Sequence, residues 1–135
     1  MLQNRSIPAS TVIPVLAYPS VPEAIAWLSA AFGFTLRLGI GDHRAQLAVG
    51  DGAIVITGGA IAGEARGRDS IMVRVADARA HCDRAAAHGA TIAMTPTDFP
   101  YGERQYTAID FSGRAWTFSE TIADVDPRDW GGDLR

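Results

Sequence analysis

The chain has 135 residues, of which 47% are hydrophobic and 20% are charged, so it can bury a core and does not have the composition of a disordered protein. Its net charge of −3 lacks the basic excess that binding to a phosphate backbone requires, and the absence of lysine excludes Schiff-base chemistry by a side-chain amine. Cys82 is the only cysteine, which excludes an internal disulfide and a thiolate metal cluster within one chain.

No targeting or membrane segment is recognisable in the sequence. The N-terminal residues lack the apolar stretch of a secretory signal. No apolar run approaches the roughly 20 residues that a membrane span requires. We therefore expect a cytoplasmic protein whose partners include neither nucleic acid nor a membrane.

The first half of the chain has the pattern of a β-α-β-β-β unit. A β-rich run at 12–18 precedes a predicted helix over 20–33, with Ser20 as N-cap, Gly33 as the stop and apolar residues at the helical period between them. A further strand follows the helix, and two more strands around a glycine turn at 50–52 complete the unit as a hairpin.

The second half repeats this plan, with a β-rich run at 70–75, a predicted helix over 77–89 and a closing hairpin around Ser112 and Gly113. A loop containing two prolines is expected at 95–103. The repeat predicts one domain over 1–135 with the following parts: module one at about 12–57, a connector at 58–69, module two at about 70–120 and a polar tail at 121–135.

The closing hairpin carries the most specific motif, YGERQYTAIDFSGRAWTFSE. It resembles the Asp-Pro-x-Gly hairpin and following tryptophan of the vicinal oxygen chelate superfamily, with Phe111 where proline is usual. This superfamily includes glyoxalase I, extradiol dioxygenases and bleomycin resistance proteins, and the end of the chain is similar to a small bacterial glyoxalase-like subgroup. The resemblance implies an α+β fold in which two βαβββ modules form a glyoxalase/bleomycin resistance-type half-barrel, and it implies a homodimer. A duplicated ferredoxin-like ligand sensor is the alternative fold, which the three strands after each helix disfavour.

Relatives with metal-dependent chemistry place His, Gln or Glu on the inner strands of the modules. The resemblance assigns those positions here to Ile13, Ile56, Ser70 and Thr117. Two apolar side chains and two hydroxyls do not outcompete water for a divalent cation. We therefore expect no metal site and no cofactor.

The strand faces that the family turns toward its cavity predict an apolar lining with a few hydroxyl groups. The cavity-facing candidates are Ile13, Val15, Ser70, Met72, Arg74, Thr117 and Ser119, with Arg104 and Tyr106 as weaker candidates at the rim. A guanidinium at Arg74 requires a carboxylate partner, which is either internal, such as Glu120 or Asp110, or part of an anionic ligand. The sequence leaves both alternatives open.

The remaining reactive side chains have simpler explanations. His81 and His88 share a face of the second predicted helix and are expected to face solvent, and His43 is expected at the surface. Cys82 lies on the apolar stripe of the same helix and is expected to be a buried, inert thiol.

Two classes of function remain. The first is a metal-free protein that binds a small molecule in a largely apolar cavity, akin to relatives that sequester antibiotics. The second is a lyase, isomerase or dioxygenase that uses a metal or an acid–base site not visible in the sequence. The residues at the four metal-ligand positions favour binding over catalysis and leave the ligand unidentified.

Overall fold

The first half of the chain folds as the predicted β-α-β-β-β unit in the structure, a computed structural model that describes residues 2–59 and 69–133. Its elements are β1 (Val15–Tyr18), α1 (Val21–Phe32), β2 (Thr35–Ile40), β3 (Arg44–Val49) and β4 (Gly52–Gly58). The strands form one mixed sheet in the order β1-β4-β3-β2, called sheet one. Strand β1 is parallel to β4, and the other neighbours are antiparallel.

The second half has the same order of elements. They are β5 (Ser70–Arg74), α2 (Ala78–Ala87), β6 (Thr91–Phe99), β7 (Glu103–Ile109) and β8 (Ala115–Thr121), followed by a short 3-10 helix at Pro127–Trp130. Sheet two has the order β5-β8-β7-β6, again with one parallel pair, β5 and β8. The predicted α+β class with two βαβββ modules is therefore confirmed.

The modules belong to two compact units, Met1–Arg66 and Gly67–Arg135. Most of the connector expected at 58–69 lies outside the described residues. No helix within 2–59 and 69–133 combines the length and apolar character needed to cross a bilayer.

The ends of both helices follow from their sequence. The Ser20 hydroxyl accepts a hydrogen bond from the Glu23 N–H at 3.3 Å, and the Asp77 carboxylate accepts one from the Ala80 N–H at 3.0 Å, as expected of N-caps. Helix α1 ends at Gly33, whose φ of 79° is the left-handed conformation that glycine adopts without strain.

The structure corrects the loop expected at 95–103. Strand β6 continues through Pro96 to Phe99, and the chain turns only at residues 100–102. Two facts reconcile this strand with its proline. Strand β6 is at the edge of sheet two, and its register against β7 shifts between Ile92 and Met94 and again between Met94 and Thr97. A proline is tolerated in an edge strand with bulges because its missing N–H breaks no necessary ladder bond.

Each sheet has one face toward its helix. In sheet two the His81 ring of α2 stacks on Phe118 with ring centroids 4.2 Å apart, and the Ala78 N–H at the start of α2 donates to Glu120 at 2.8 Å. In sheet one the corresponding face carries the buried side chains of Leu16, Tyr18, Ala45, Leu47, Ile54 and Ile56. We call the opposite face of each sheet its open face.

The closing hairpin is organised by one buried carboxylate. Asp110, 4% exposed, accepts hydrogen bonds from the Ser112 N–H at 3.0 Å, the Ser112 hydroxyl at 2.8 Å and the Arg114 N–H at 3.0 Å. Its other oxygen accepts a bond from the indole N–H of Trp116, also at 3.0 Å. Because Trp116 is fully buried, Asp110 fixes both the turn and the core position of β8.

Candidate functional site

A polar network occupies the open face of sheet two. Tyr101 donates from its hydroxyl to Gln105 at 3.0 Å, Gln105 donates to the Ser119 hydroxyl at 3.0 Å, and Ser119 donates to Glu103 at 2.7 Å. Gln105 and Ser119 are only 7% and 4% exposed. Strand alternation explains the arrangement, because Glu103 and Gln105 share one face of β7, and Gln105 lies opposite Ser119 of β8. The polar network, as we call these four side chains, is thus built into the sheet.

The Glu103 carboxyl is held in its ionised form. Partial burial opposes ionisation, but hydrogen bonds from Ser119 and Thr121 and the positive charge of Arg74 outweigh it and lower the pKa of Glu103. Arg74 is exposed and donates a hydrogen bond to the Thr121 hydroxyl. The open face of sheet two therefore carries a carboxylate and a guanidinium with a threonine hydroxyl between them.

The other candidates of module two share this open face. Thr117 is half-buried, and its hydroxyl is 3.0 Å from that of Thr107 on β7. Ser70 is exposed at the start of β5, and Met72, opposite Thr117 in the register, is 62% exposed. An apolar side chain and hydroxyl groups are therefore both accessible on the same surface.

The open face of sheet one is made by alternate residues of its strands. Val15 is 54% exposed there, and Ile13 lies just before β1 and is half-buried. Gln46 of β3 is the buried polar residue of this face, with 4% exposure. Its carboxamide bonds to Arg37 of β2 and to the backbone oxygen of Ser6.

The donor set at the family's metal-ligand positions does not fit a divalent cation. Ser70 and Thr117 offer hydroxyls on their open face, and Ile13 offers only carbon. No three His, Cys, Asp or Glu side chains lie close enough together to hold a metal ion anywhere in residues 2–59 and 69–133. Neutral hydroxyls without an imidazole, thiolate or carboxylate are poor competitors with water for zinc or a similar ion.

Three of the predicted site residues face the helix side of their sheets. Ile56 is fully buried and shares a face with Leu16, so the open-face positions of β4 belong to its neighbours Val55 and Thr57. The assignment of Ile56 to an inner, ligand-type position was off by one residue. Neither neighbour supplies an imidazole or a carboxylate, so the argument about the donor set is unchanged.

Tyr106 and Arg104 also differ from their expected place at the rim. Tyr106 is fully buried and hydrogen-bonds through its hydroxyl to His81, and burial raises the pKa of this phenol. Arg104 bonds to Asp98 at 2.7 Å and lies 3.8 Å from Glu120, both on the helix side. Alternation places residues 104 and 106 opposite to 103 and 105, so these two side chains stabilise the packing of α2 instead of facing the open side.

The structure agrees with some of the predictions for the histidines and the cysteine and corrects one of them. His81 was expected to face solvent but packs between α2 and sheet two, against Phe118 and Tyr106. His88, at the end of α2, and His43, in the turn before β3, are exposed. Cys82 is 7% exposed, and burial raises the pKa of its thiol, which suppresses the reactive thiolate.

Comparison with known proteins decides the family. The model of the Glyoxalase/Bleomycin resistance protein/Dioxygenase superfamily matches residues 11–118. The chain belongs to this superfamily. TioX from Micromonospora sp. ML1 is 32% identical to this superfamily member, with a TM-score of 0.70 over 84% of this chain and 100% of TioX.

More distant solved structures show the shared fold alone. The fosfomycin resistance protein FosX from Listeria monocytogenes is 16% identical, with a TM-score of 0.71 over 84% of this chain and 92% of FosX. A glyoxalase/bleomycin resistance protein/dioxygenase from Nocardioides is also 16% identical, with a TM-score of 0.69 over 93% of this chain and 89% of that protein. The sequence has no significant match among curated proteins.

The sequence reading missed the polar network except for Ser119. Glu103, Gln105 and Tyr101 were assigned to a loop and a hairpin strand without a role. The period-2 pattern of β7 contained the needed signal, because a strand with Tyr106 and Ala108 in the core must turn residues 103 and 105 to its other face.

Proposed function

We propose that this superfamily member binds small organic molecules on the open face of each sheet, without a metal ion, and acts by holding those molecules instead of transforming them. The observation that carries this proposal is the donor set at the family's ligand positions. Ser70 and Thr117 provide hydroxyls, and Ile13 provides only carbon. On β4 the open-face residues are Val55 and Thr57, which likewise provide carbon and a hydroxyl. Such groups hydrogen-bond and pack against an organic ligand but hold a divalent cation poorly.

The chemistry of the open faces supports a binding role. The exposed apolar side chains of Val15 and Met72 give a ligand carbon surface to cover. The polar network, on the same face of sheet two as Met72, is already hydrogen-bonded and therefore rigid, which lowers the entropic cost of fixing a ligand's orientation. Apolar area with a few fixed polar groups is the usual composition of a small-molecule site.

The electrostatics of Glu103 favour binding over acid–base catalysis. A general base for neutral pH is most effective with a pKa near 7, which for a carboxyl requires a raised pKa. Here the pKa of Glu103 is lowered by its hydrogen bonds and by Arg74. An ionised carboxylate of this kind is a weak proton acceptor and a good partner for a cationic or N–H donating group.

Arg74 supplies the complementary charge in this proposal. Its guanidinium donates to the Thr121 hydroxyl, and none of the ion pairs found within residues 2–59 and 69–133 includes it. Because a guanidinium has five N–H donors in a fork, the exposed group retains donors for an anionic group of a ligand. We assign Arg74 to the ligand, in preference to an internal pair with Glu120 or Asp110.

The superfamily description includes bleomycin resistance proteins, and ligand sequestration is the biological context that we propose. We further propose that the protein works as a homodimer in the cytoplasm. Light scattering coupled to size exclusion tests the dimer, for which the expected mass is twice that of the 14.3 kDa chain.

Two measurements test the binding proposal. Elemental analysis after incubation with nickel, zinc, manganese and iron, followed by desalting, is expected to find no retained metal. Near-stoichiometric metal would overturn the proposal and favour lyase, isomerase or dioxygenase chemistry.

A thermal-shift screen of small organic compounds is expected to find ligands that raise the melting temperature. The substitution Met72→Asp places a charge on the open face of sheet two and should abolish this shift. The matched control, Ala86→Asp on the exposed side of α2, should preserve it. Equal shifts in both variants would contradict the proposed binding surface.

A further inference from the structure

Two side chains of sheet one hold a run of backbone carbonyls. Arg37 donates to the carbonyl oxygens of Arg5 at 2.8 Å and of Ile7 at 3.5 Å. Gln46 donates to the carbonyl oxygen of Ser6, between them, at 2.9 Å. Arg37 also donates to the Gln46 side-chain oxygen, so the two side chains act as one unit, which we call the carbonyl clamp.

The hydrogen bond between Arg37 and Gln46 fixes the orientation of the donors in the carbonyl clamp. Gln46 is 4% exposed, and its amide oxygen accepts a bond from Arg37, so the Gln46 N–H is directed at the Ser6 carbonyl while Arg37 donates to the carbonyls of Arg5 and Ile7. A buried amide without a partner costs free energy, so whatever replaces residues 5–7 on the clamp must also bring carbonyl or similar acceptor oxygens. The clamp therefore specifies the chemistry of its occupant.

The segment that occupies the carbonyl clamp is loosely attached. Residues 2–14 contain no helix or strand, and Leu2, Ile7 and Val12 are 97%, 50% and 77% exposed. A cavity of about 550 Å³ lies along the segment, lined by residues 2–5, 7–11 and 13 together with Arg37. Pro8 is the buried side chain of residues 2–12, so packing holds this stretch at one position and its hydrogen bonds to the clamp contribute much of the rest of its attachment.

We propose that the carbonyl clamp is a ligand-binding site for closely spaced amide carbonyls, and that residues 5–7 occupy it as an internal, displaceable substitute for a peptide-like ligand. The inference rests on the proposed function, because it takes the open face of sheet one as part of the binding surface. It adds a ligand class, an oligoamide with neighbouring carbonyl oxygens, and a competition between ligand and N-terminal segment.

Tryptic cleavage of the full chain after Arg5 measures this competition. The Arg5 carbonyl belongs to the scissile bond and is engaged by Arg37, so a clamped segment resists cleavage. The probe is an acetylated and amidated peptide of residues 4–8 with Arg5→Ala, which trypsin cannot cut. We compare the wild type with Arg37→Ala and with the control Arg79→Ala, which removes an exposed arginine of α2. Mass spectrometry follows release of residues 1–5.

The expected result has three parts. Arg37→Ala is cleaved after Arg5 about tenfold faster or more, since it loses charge-assisted bonds. The wild type and Arg79→Ala are cleaved slowly, and added peptide accelerates both to a saturating rate by displacing the segment. The peptide does not change the rate of Arg37→Ala.

Two results overturn the inference. One is a wild-type cleavage rate that stays constant up to millimolar peptide, and the other is cleavage of Arg37→Ala at the rate of Arg79→Ala. If Arg37→Ala fails to fold, the wild type alone still tests the inference, because its cleavage rate must rise to saturation with added peptide. Retained metal would contradict the proposed function without altering these cleavage rates. Failure of the proposed function and failure of this inference are therefore distinguishable.

Discussion

The buried Asp110 carboxylate offers the sharpest test of how the closing hairpin supports the open face of sheet two. Replacing Asp110 with alanine removes four hydrogen bonds and leaves the indole N–H of the fully buried Trp116 without this acceptor. Hydrogen bonds to a charged group contribute about 1.5–3 kcal/mol each, but bonds to one carboxylate are not additive, and an unsatisfied buried donor costs about 1–3 kcal/mol. We expect Asp110→Ala to lower the free energy of unfolding by about 3–5 kcal/mol.

Urea denaturation followed by circular dichroism measures this loss. Trp116→Phe keeps the ring in the core but removes the donor, and should cost about 1–3 kcal/mol. The double variant should cost less than the sum, because both single changes remove the same bond. Asp42→Ala, at an exposed turn, is the control and should stay within about 0.5 kcal/mol of the wild type. A loss below about 1 kcal/mol for Asp110→Ala, or strict additivity, would refute the reasoning.

Three further predictions concern other parts of the chain. Gly102→Ala should lower the free energy of unfolding by about 2–4 kcal/mol in urea denaturation, because a Cβ there would lie 2.4 Å from the Ala123 oxygen at a φ of 86°. Gly89→Ala, with a similar φ of 90° and open space around it, should cost only about 1–2 kcal/mol, and equal losses would contradict the steric argument. The folded state lowers the pKa of Glu103, so this group stabilises the fold above its ordinary pKa of 4.5 and loses that contribution as the pH falls through the lowered value. Glu103→Gln should therefore show a shallower fall in melting temperature below pH 4.5 than the wild type, and parallel curves would contradict this. The buried Cys82 thiol should react with a disulfide reagent far more slowly in native protein than in urea, and similar rates would show that the site is open.

Local signals in the sequence predicted most of the fold. Ser20 and Asp77 cap the two helices, Gly33 ends the first, and the repeat of β-α-β-β-β matches both sheets. Each of these features depends on residues close together in the chain, which is why one sequence suffices. The part of β6 from Thr95 to Phe99 was assigned to a loop because prolines are typical of loops, and only the place of β6 at a sheet edge makes Pro96 acceptable.

The faces of the strands were harder to predict. In β4 the residues Ile54, Val55 and Ile56 are all apolar and all buried, so alternation gives no signal, and the register against β1 is needed to place Ile56 on the helix side. The network of Gln105 and Ser119 joins two strands, and the carbonyl clamp joins β2, β3 and the N-terminal segment. Contacts between side chains from distant positions in the chain produce no periodic pattern in the sequence, so the sequence alone did not predict them.

Four carboxylates of module two have structural partners, and this argues for binding over catalysis. Glu120 accepts the first N–H of α2, Asp98 pairs with Arg104, and Asp110 holds the closing hairpin. Of these four carboxylates, Glu103 lies on the open face of sheet two. Partial burial opposes its ionisation, but its hydrogen bonds, including the one from Ser119, outweigh the burial and lower its pKa. A fold that used such a carboxyl to move protons at neutral pH would have to desolvate it and withdraw its donors. Sheet two partly buries the Glu103 carboxylate but surrounds it with donors that outweigh the burial and keep it charged, which is the arrangement expected of a group that recognises a ligand and leaves it unchanged.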